Sequence, residues 1–175
     1  MIIGKRLHLR KLNPVSDDLM DYVKWMNDPD IVKFTMSKGK SYNIDNIKDY
    51  IIFMNNNNDN YLLGIFLNEN NNHIGNIKVG PVDFDQSNAF VGLIIGEKQL
   101  WGKGYATEAI ELATNFAFKE LQLSKLFAML CDDNQGSYKA FSKAGYAEIK
   151  RLRKFNTNEN KYIDEIIVEI SNEVK

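Results

Sequence analysis

An apolar run from Phe90 to Ile95 leads into Gly96-Glu97-Lys98-Gln99-Leu100-Trp101-Gly102-Lys103-Gly104-Tyr105-Ala106-Thr107, and an amphipathic stretch then continues to about residue 120. The pattern reads as a strand, a glycine-bearing loop and a helix. Gly102 and Gly104 reach backbone angles closed to other residues and let a ligand approach the main chain. A helix that opens there carries unpaired N–H groups and the positive end of its dipole. That combination is a socket for a phosphate or a diphosphate. Along the helix, spacing turns Ala106, Ala109, Ile110, Ala113, Phe116 and Ala117 inward and Glu108, Glu111, Asn115 and Lys119 outward.

Two common phosphate motifs fail here. Gly-x-x-x-x-Gly-Lys-Ser/Thr is absent, and Gly-x-Gly-x-x-Gly breaks because residue 107 is Thr. What stands in their place is Gln99-x-x-Gly102-x-Gly104-Tyr105-Ala106, with Glu108-Ala109 beyond it. A second motif follows one helix and one strand later: Asn134-Gln-Gly-Ser137-Tyr138-Lys-Ala-Phe141-Ser-Lys143-Ala-Gly145-Tyr146. Trp25-Met26-Asn27-Asp28-Pro29 lies near the N-terminus. Together these resemble the GNAT N-acetyltransferase superfamily, in the branch that includes ribosomal-protein, spermidine and amino-sugar acetyltransferases.

The resemblance implies the fold, the co-substrate and the site. The fold would be an α/β (α+β) domain spanning 1–175, with a mixed, mostly antiparallel central sheet of about seven strands flanked by about four helices. The two central strands, here 90–96 and 125–131, would splay apart and admit the pantetheine arm of acetyl-CoA. Leu93, Ile94 and Ile95 would line that arm, and a main-chain N–H near Ile94 or Ile95 would polarise the thioester carbonyl. Backbone N–H groups of Gly102, Lys103, Gly104, Tyr105, Ala106 and Thr107 would hold the diphosphate, the Lys103 side chain would add positive charge, and Gln99, Leu100 and Trp101 would complete the coenzyme-binding loop. Asn134 and Ser137 would meet the pantetheine region, and Lys143 the phosphates. Trp25 could line the acceptor pocket or pack in the core, and Asn27 and Asp28 could bind the acceptor amine, while Asp28-Pro29 is also an ordinary helix stop. No metal is implied, and a homodimer is compatible with the resemblance.

Two departures affect the chemistry. Many relatives place a Tyr seven residues after the motif Asn, as acid to the leaving thiolate; here Phe141 stands there and cannot donate. Ser137, one turn earlier on the same face, is the substitute donor, although its hydroxyl could instead serve its own helix start. Tyr138 is the second candidate, but a core or substrate-wall role is favoured for it. Many relatives also carry Glu on the strand before the loop. Ala89-Phe90-Val91-Gly92 offers no carboxylate, and Asp132 and Asp133 are the nearest alternatives. Cys131 has no histidine in its own strand to activate it and reads as a structural thiol.

The remaining chain fits one domain. Leu7 and Leu9 share one strand face, with Arg6, His8 and Arg10 on the other. Helices follow at about 19–27 and 44–54, the first with Ser16, Asp17 and Asp18 as cap candidates and Pro29 as its stop, with an irregular loop at 33–42. Strands are expected at 61–67, 73–79, 88–96, 125–131, 146–153 and 161–170, with turns at 81–87 and 156–160. A net charge of −1 gives no electrostatic case for nucleic acid or an anionic membrane. One cysteine excludes an internal disulfide, and neither a leader nor a membrane-length apolar run is visible, so a cytoplasmic location is expected. The favoured acceptor is the amine of a small molecule, foremost an amino sugar, free or nucleotide-linked. A protein N-terminus or a polyamine is the alternative, and an acyl-CoA sensor without turnover is the non-enzymatic one.

Overall fold

A computed structural model of the chain describes residues 1–156 and 161–172. The strands are β1 (Ile2–Ile3), β2 (Leu7–Lys11), β3 (Tyr61–Leu67), β4 (His73–Asp83), β5 (Asn88–Ile95), β6 (Lys125–Cys131), β7 (Ala147–Asn156) and β8 (Lys161–Ser171). The helices are α1 (Met20–Asn27), α2 (Pro29–Val32), α3 (Ile44–Asn55), α4 (Tyr105–Lys119) and α5 (Gln135–Lys143). One sheet takes the order β1-β2-β3-β4-β5-β6-β8-β7. Every pairing is antiparallel except that of β5 with β6. The described residues thus hold eight strands and five α-helices, one of each more than expected. The additions are the two-residue β1 and the single-turn α2, both too short to show a period.

The boundaries follow local chemistry. Pro29 stops α1 at Asn27, leaving Asp28 extended; the Asp28 carboxylate then accepts the Asp30 N–H and starts α2. Asn43 and Asn46 close a reciprocal capping box on α3. At α1 the expected caps do other work. Asp18 accepts from Met20 N–H, while Asp17 takes the Arg10 guanidinium and the Asn13 N–H. β4 runs four residues further than expected, to Asp83, so the turn begins at Phe84. The expected turn at 156–160 lies for the most part outside the described residues.

Two apolar layers sandwich the sheet. On one face Ala109, Ile110, Ala113 and Ala117 of α4, with Ala140 and Phe141 of α5, bury Leu9, Ile77, Val91, Leu126, Ala128 and Val168. On the other, Tyr22 and Trp25 of α1 and Ile47, Ile51 and Met54 of α3 cover Leu62 and Phe66. That second layer stops short of β6. On the same sheet face, Phe90 is 39% and Met129 52% exposed.

His73 sits inside the second layer, stacked on Phe66 at 4.8 Å and edge-on to Trp25 at 4.9 Å, with Nε2 bonded to Asn76 Oδ1 at 3.0 Å. Burial lowers its pKa below the ordinary 6.5, outweighing the Asn76 hydrogen bond. The unfolded chain therefore binds the imidazole proton at a pH where the folded chain does not, so this contribution is complete above 6.5 and falls as the pH drops towards the folded value. Thermal melts should show Tm level between about pH 8 and 7 and declining from about 6.5 downwards. His73→Phe should flatten that decline; an unchanged slope would count against it.

Candidate functional site

β5 and β6 are joined by three register pairs only: Asn88 with Lys125, Ala89 with Leu126 and Phe90 with Phe127. Beyond Phe90, β5 stays paired to β4 through Ile95 while β6 stays paired to β8 through Cys131. The central strands therefore part, and main-chain groups along the later halves of both face a wedge with no strand partner. Leu93, Ile94 and Ile95, expected to line such a gap, lie on its β5 side.

The glycine loop stands at the head of this wedge. Lys98–Leu100 forms a 3-10 turn, and Trp101 Nε1–H donates to the Ile95 carbonyl at 2.8 Å, fastening the loop to the end of β5. Gly102 and Gly104 both adopt positive φ, +75° and +83°. A Cβ at Gly102 would meet no atom within 4 Å, so the loop is open on that side. Gly104 is the N-cap of α4, without a side-chain cap. The first helical bond runs from Glu108 N–H to the Gly104 carbonyl, which leaves the amides of Tyr105, Ala106 and Thr107 without an acceptor inside the helix. The Lys103 N–H, by contrast, turns back to the Leu100 carbonyl at 3.4 Å. Open amides at a helix start have the geometry of an anion socket, and the Lys103 side chain is exposed beside them.

Glu108 corrects the outward face expected of α4. Its side chain is only 13% exposed. It accepts from Arg6 Nε at 2.7 Å, Arg6 N–H at 2.7 Å and Leu7 N–H at 3.2 Å. Burial pushes its carboxyl up, but the hydrogen bonds from the Arg6 backbone and side chain outweigh this and hold it below the ordinary carboxylate value. A cavity of about 590 Å³ opens beside this pair, bordered by Lys5, Gly104, Thr107 and Lys143. Lys143 and Gly104 thus border the same cavity.

At the far side of the wedge, Asn134 caps α5 by accepting the Ser137 N–H at 3.2 Å. Its Nδ2 is the donor left for a ligand. The Ser137 hydroxyl has no hydrogen-bond partner among the described residues. Tyr138 behaves differently: its hydroxyl donates to Glu148 of β7 at 3.3 Å, two strands from the wedge. Phe141 is 1% exposed and packs edge-on to Tyr146 at 5.0 Å. Cys131 is half-buried, and Asp132 Oδ1 accepts the Asp164 N–H at 3.4 Å.

The residues expected to meet the acceptor are engaged within the fold. Trp25 is 4% exposed, its ring lies against Gly96, and its Nε1–H reaches Glu97 at 3.3 Å. Glu97 also accepts from Gln99 Nε2. Asn27 clasps Tyr42 through both backbone groups and donates to the Val23 carbonyl. Asp28 pairs with Lys98 at 2.8 Å. α1 and α2 are thereby tied to the loop after β5. Arg6 and the Trp25–Gly96 contact carry no signal in the linear pattern, because each joins residues about 70 to 100 positions apart.

Comparison with known proteins agrees with this geometry. The acetyltransferase (GNAT) domain profile matches residues 6–147. A Bacillus licheniformis protein described as the uncharacterized N-acetyltransferase p20 is 25% identical over 166 residues, covering 91% of this chain and 89% of its own. A GNAT-family acetyltransferase of Bacillus anthracis superposes with a TM-score of 0.80 at 23% identity, covering 97% of both chains. The spermidine N-acetyltransferase of Vibrio cholerae, solved with CoA and spermine, superposes with a TM-score of 0.82 at 21% identity, covering 95% of both. These two likenesses show the fold. With the profile spanning most of its length, the chain belongs to the GNAT acetyltransferase family, whose members use acetyl-CoA, and is an N-acetyltransferase that transfers acetyl to an amine.

Proposed function

We propose that the chain acetylates the primary amine of a small acceptor with an uncharged body, an amino sugar foremost. The observation that carries the reading is the wedge between β5 and β6 with the bare amides of α4 at its head. Acetyl-CoA supplies an activated thioester when bound. The amides of Gly104 to Thr107 grip its diphosphate. The free edge of β5 pairs with the pantetheine amides as a further strand would. A main-chain N–H near Ile94 or Ile95 faces the developing oxyanion. Ser137 Oγ–H, unspent and at the start of α5, is the donor for the departing sulfur, while the Tyr138 hydroxyl is taken up by Glu148.

The acceptor approaches from the face that carries Phe90 and Met129, because α4 and α5 fill the other. On that face Glu169 pairs with Lys125 at 3.5 Å, and Glu165 with Lys154. At its margins Asp28 and Asp30 both pair with Lys98. The four carboxylates just named are each paired with a lysine, which leaves less charge there for a polyamine. Aromatic and aliphatic surface suits the C–H face of a sugar ring. Trp25, Asn27 and Asp28 serve the acceptor side by fixing α1 and α2 beside the loop.

An acetyl-transfer screen read by mass spectrometry should show product with amino sugars. Product only with polyamines or N-terminal peptides would overturn the acceptor class, and CoA binding without product on any amine would point to a sensor. With the best acceptor, Ser137→Ala should lower kcat about a hundredfold, with KM for acetyl-CoA little changed. Tyr138→Phe should leave kcat within about twofold of the parent. The reverse pattern would move the donor to Tyr138.

A further inference from the structure

Arg6 precedes β2, about a hundred residues before the glycine loop, yet its guanidinium lies against that loop at several points. Nε donates to Glu108 at 2.7 Å, Nη1 donates to the Lys103 carbonyl at 2.9 Å, and the guanidinium carbon lies 4.4 Å from the centre of the Tyr105 ring. A Cβ at Gly104 would stand 3.5 Å from Nη2, so the guanidinium occupies the side-chain side of that glycine. Glu108 fixes the guanidinium in turn, because it also accepts the Arg6 and Leu7 main-chain N–H groups.

The peptide between Lys103 and Gly104 is the point of interest. In a trans peptide the C=O and N–H point opposite ways. With the Lys103 carbonyl held by Arg6, the Gly104 N–H must face away from the guanidinium. Gly104 has φ +83°, and glycine accepts either sign of φ at nearly equal cost, so the backbone alone does not choose this orientation over the flipped one. Arg6 chooses it. Glu108 offsets the arginine's charge, so its part here is orientation.

We propose that Arg6 is a positioning residue for the coenzyme: through the Lys103 carbonyl it locks the Gly104 N–H into the diphosphate cradle, with Glu108 as its anchor. The inference rests on the coenzyme reading above. Lysine keeps the charge opposite Glu108 but lacks the planar fork that reaches Glu108 and Lys103 together.

The test uses the full chain and CoA as the probe, with calorimetry, thermal melts and the Gly104 amide signal of 15N-labelled protein. Arg6→Lys should bind CoA about tenfold more weakly, the worth of one hydrogen bond into a charged site. Its Gly104 amide should lose most of the shift that CoA induces in the parent protein, while Tm moves by only a few degrees. Glu108→Gln, which frees the guanidinium, should weaken CoA binding in the same direction and serves if Arg6→Lys does not fold. Parent-like affinity together with a parent-like Gly104 shift in the variants would overturn the inference, and a lowered Tm alone would make the pair merely structural. A parent protein that fails to bind CoA would remove the coenzyme reading first and this inference with it, so the two failures are told apart on the parent alone.

Discussion

Gly102→Asp is expected to abolish CoA binding while leaving the protein folded. Asp is among the few residues that enter the left-handed region readily, and a Cβ at Gly102 meets nothing within 4 Å. The conformational cost is about 1 kcal/mol, or about 2–4 °C in Tm for a chain of this length. The carboxylate, however, would stand in open space on the loop proposed to hold the diphosphate. A unit charge about 4 Å from a phosphate charge, at an effective dielectric of about 20, is repelled by about 4 kcal/mol. That is a loss of well over a hundredfold in affinity. Gly102→Asn has the same shape without the charge and should stay within about tenfold of the parent. Calorimetry with CoA on the three proteins separates the cases. Unchanged affinity in Gly102→Asp would remove the loop assignment. Equal losses in both variants would assign the effect to backbone strain.

Gly96→Ala should be strongly destabilising. A Cβ there would stand 1.9 Å from Trp25 Cδ2 and 2.2 Å from Cε2, far inside contact distance. Trp25 cannot yield easily, since it is packed among His73, Tyr22 and the second apolar layer and bonded to Glu97. Overpacking of this kind costs about 3 kcal/mol, which lowers Tm by about 6–12 °C. Trp25→Leu leaves room for the methyl group. The double variant should then be more stable than the sum of the two single losses by about 1 kcal/mol or more. Strict additivity in denaturant melts would show that the two residues do not press on one another. The contact also bears on function, because Glu97 bridges Trp25 to Gln99 at the start of the glycine loop.

What could be read directly from the chain was local. The run into Gly102 and Gly104 and the Pro29 stop are each set by a few adjacent residues, and each stands where its chemistry puts it. The opening of the central strands followed from the family resemblance and is present in the register. What stayed hidden was long-range. Glu108 occupies an outward position by helical period, yet β2 passes close enough to supply Arg6 and two backbone donors. Thr114, likewise, is buried because the Tyr146 hydroxyl lies 2.9 Å from it, 32 residues away. Neither pairing leaves a trace in spacing. The insertion of β8 between β6 and β7 is of the same kind, since chain order alone would equally allow β7 beside β6.

The short seam between β5 and β6 has a mechanical consequence. Within the sheet, three residue pairs among the described residues join β1–β5 to the block formed by β6, β8 and β7, while the apolar layer under α4 and α5 runs across both. The first blade leads into the open amides at the head of α4, and the second into Asn134 and Ser137 at the start of α5. An extended ligand lodged in the wedge, as proposed above, would brace the two blades like a strut, so the sheet would gain rigidity from the molecule it consumes and slacken when the spent carrier leaves.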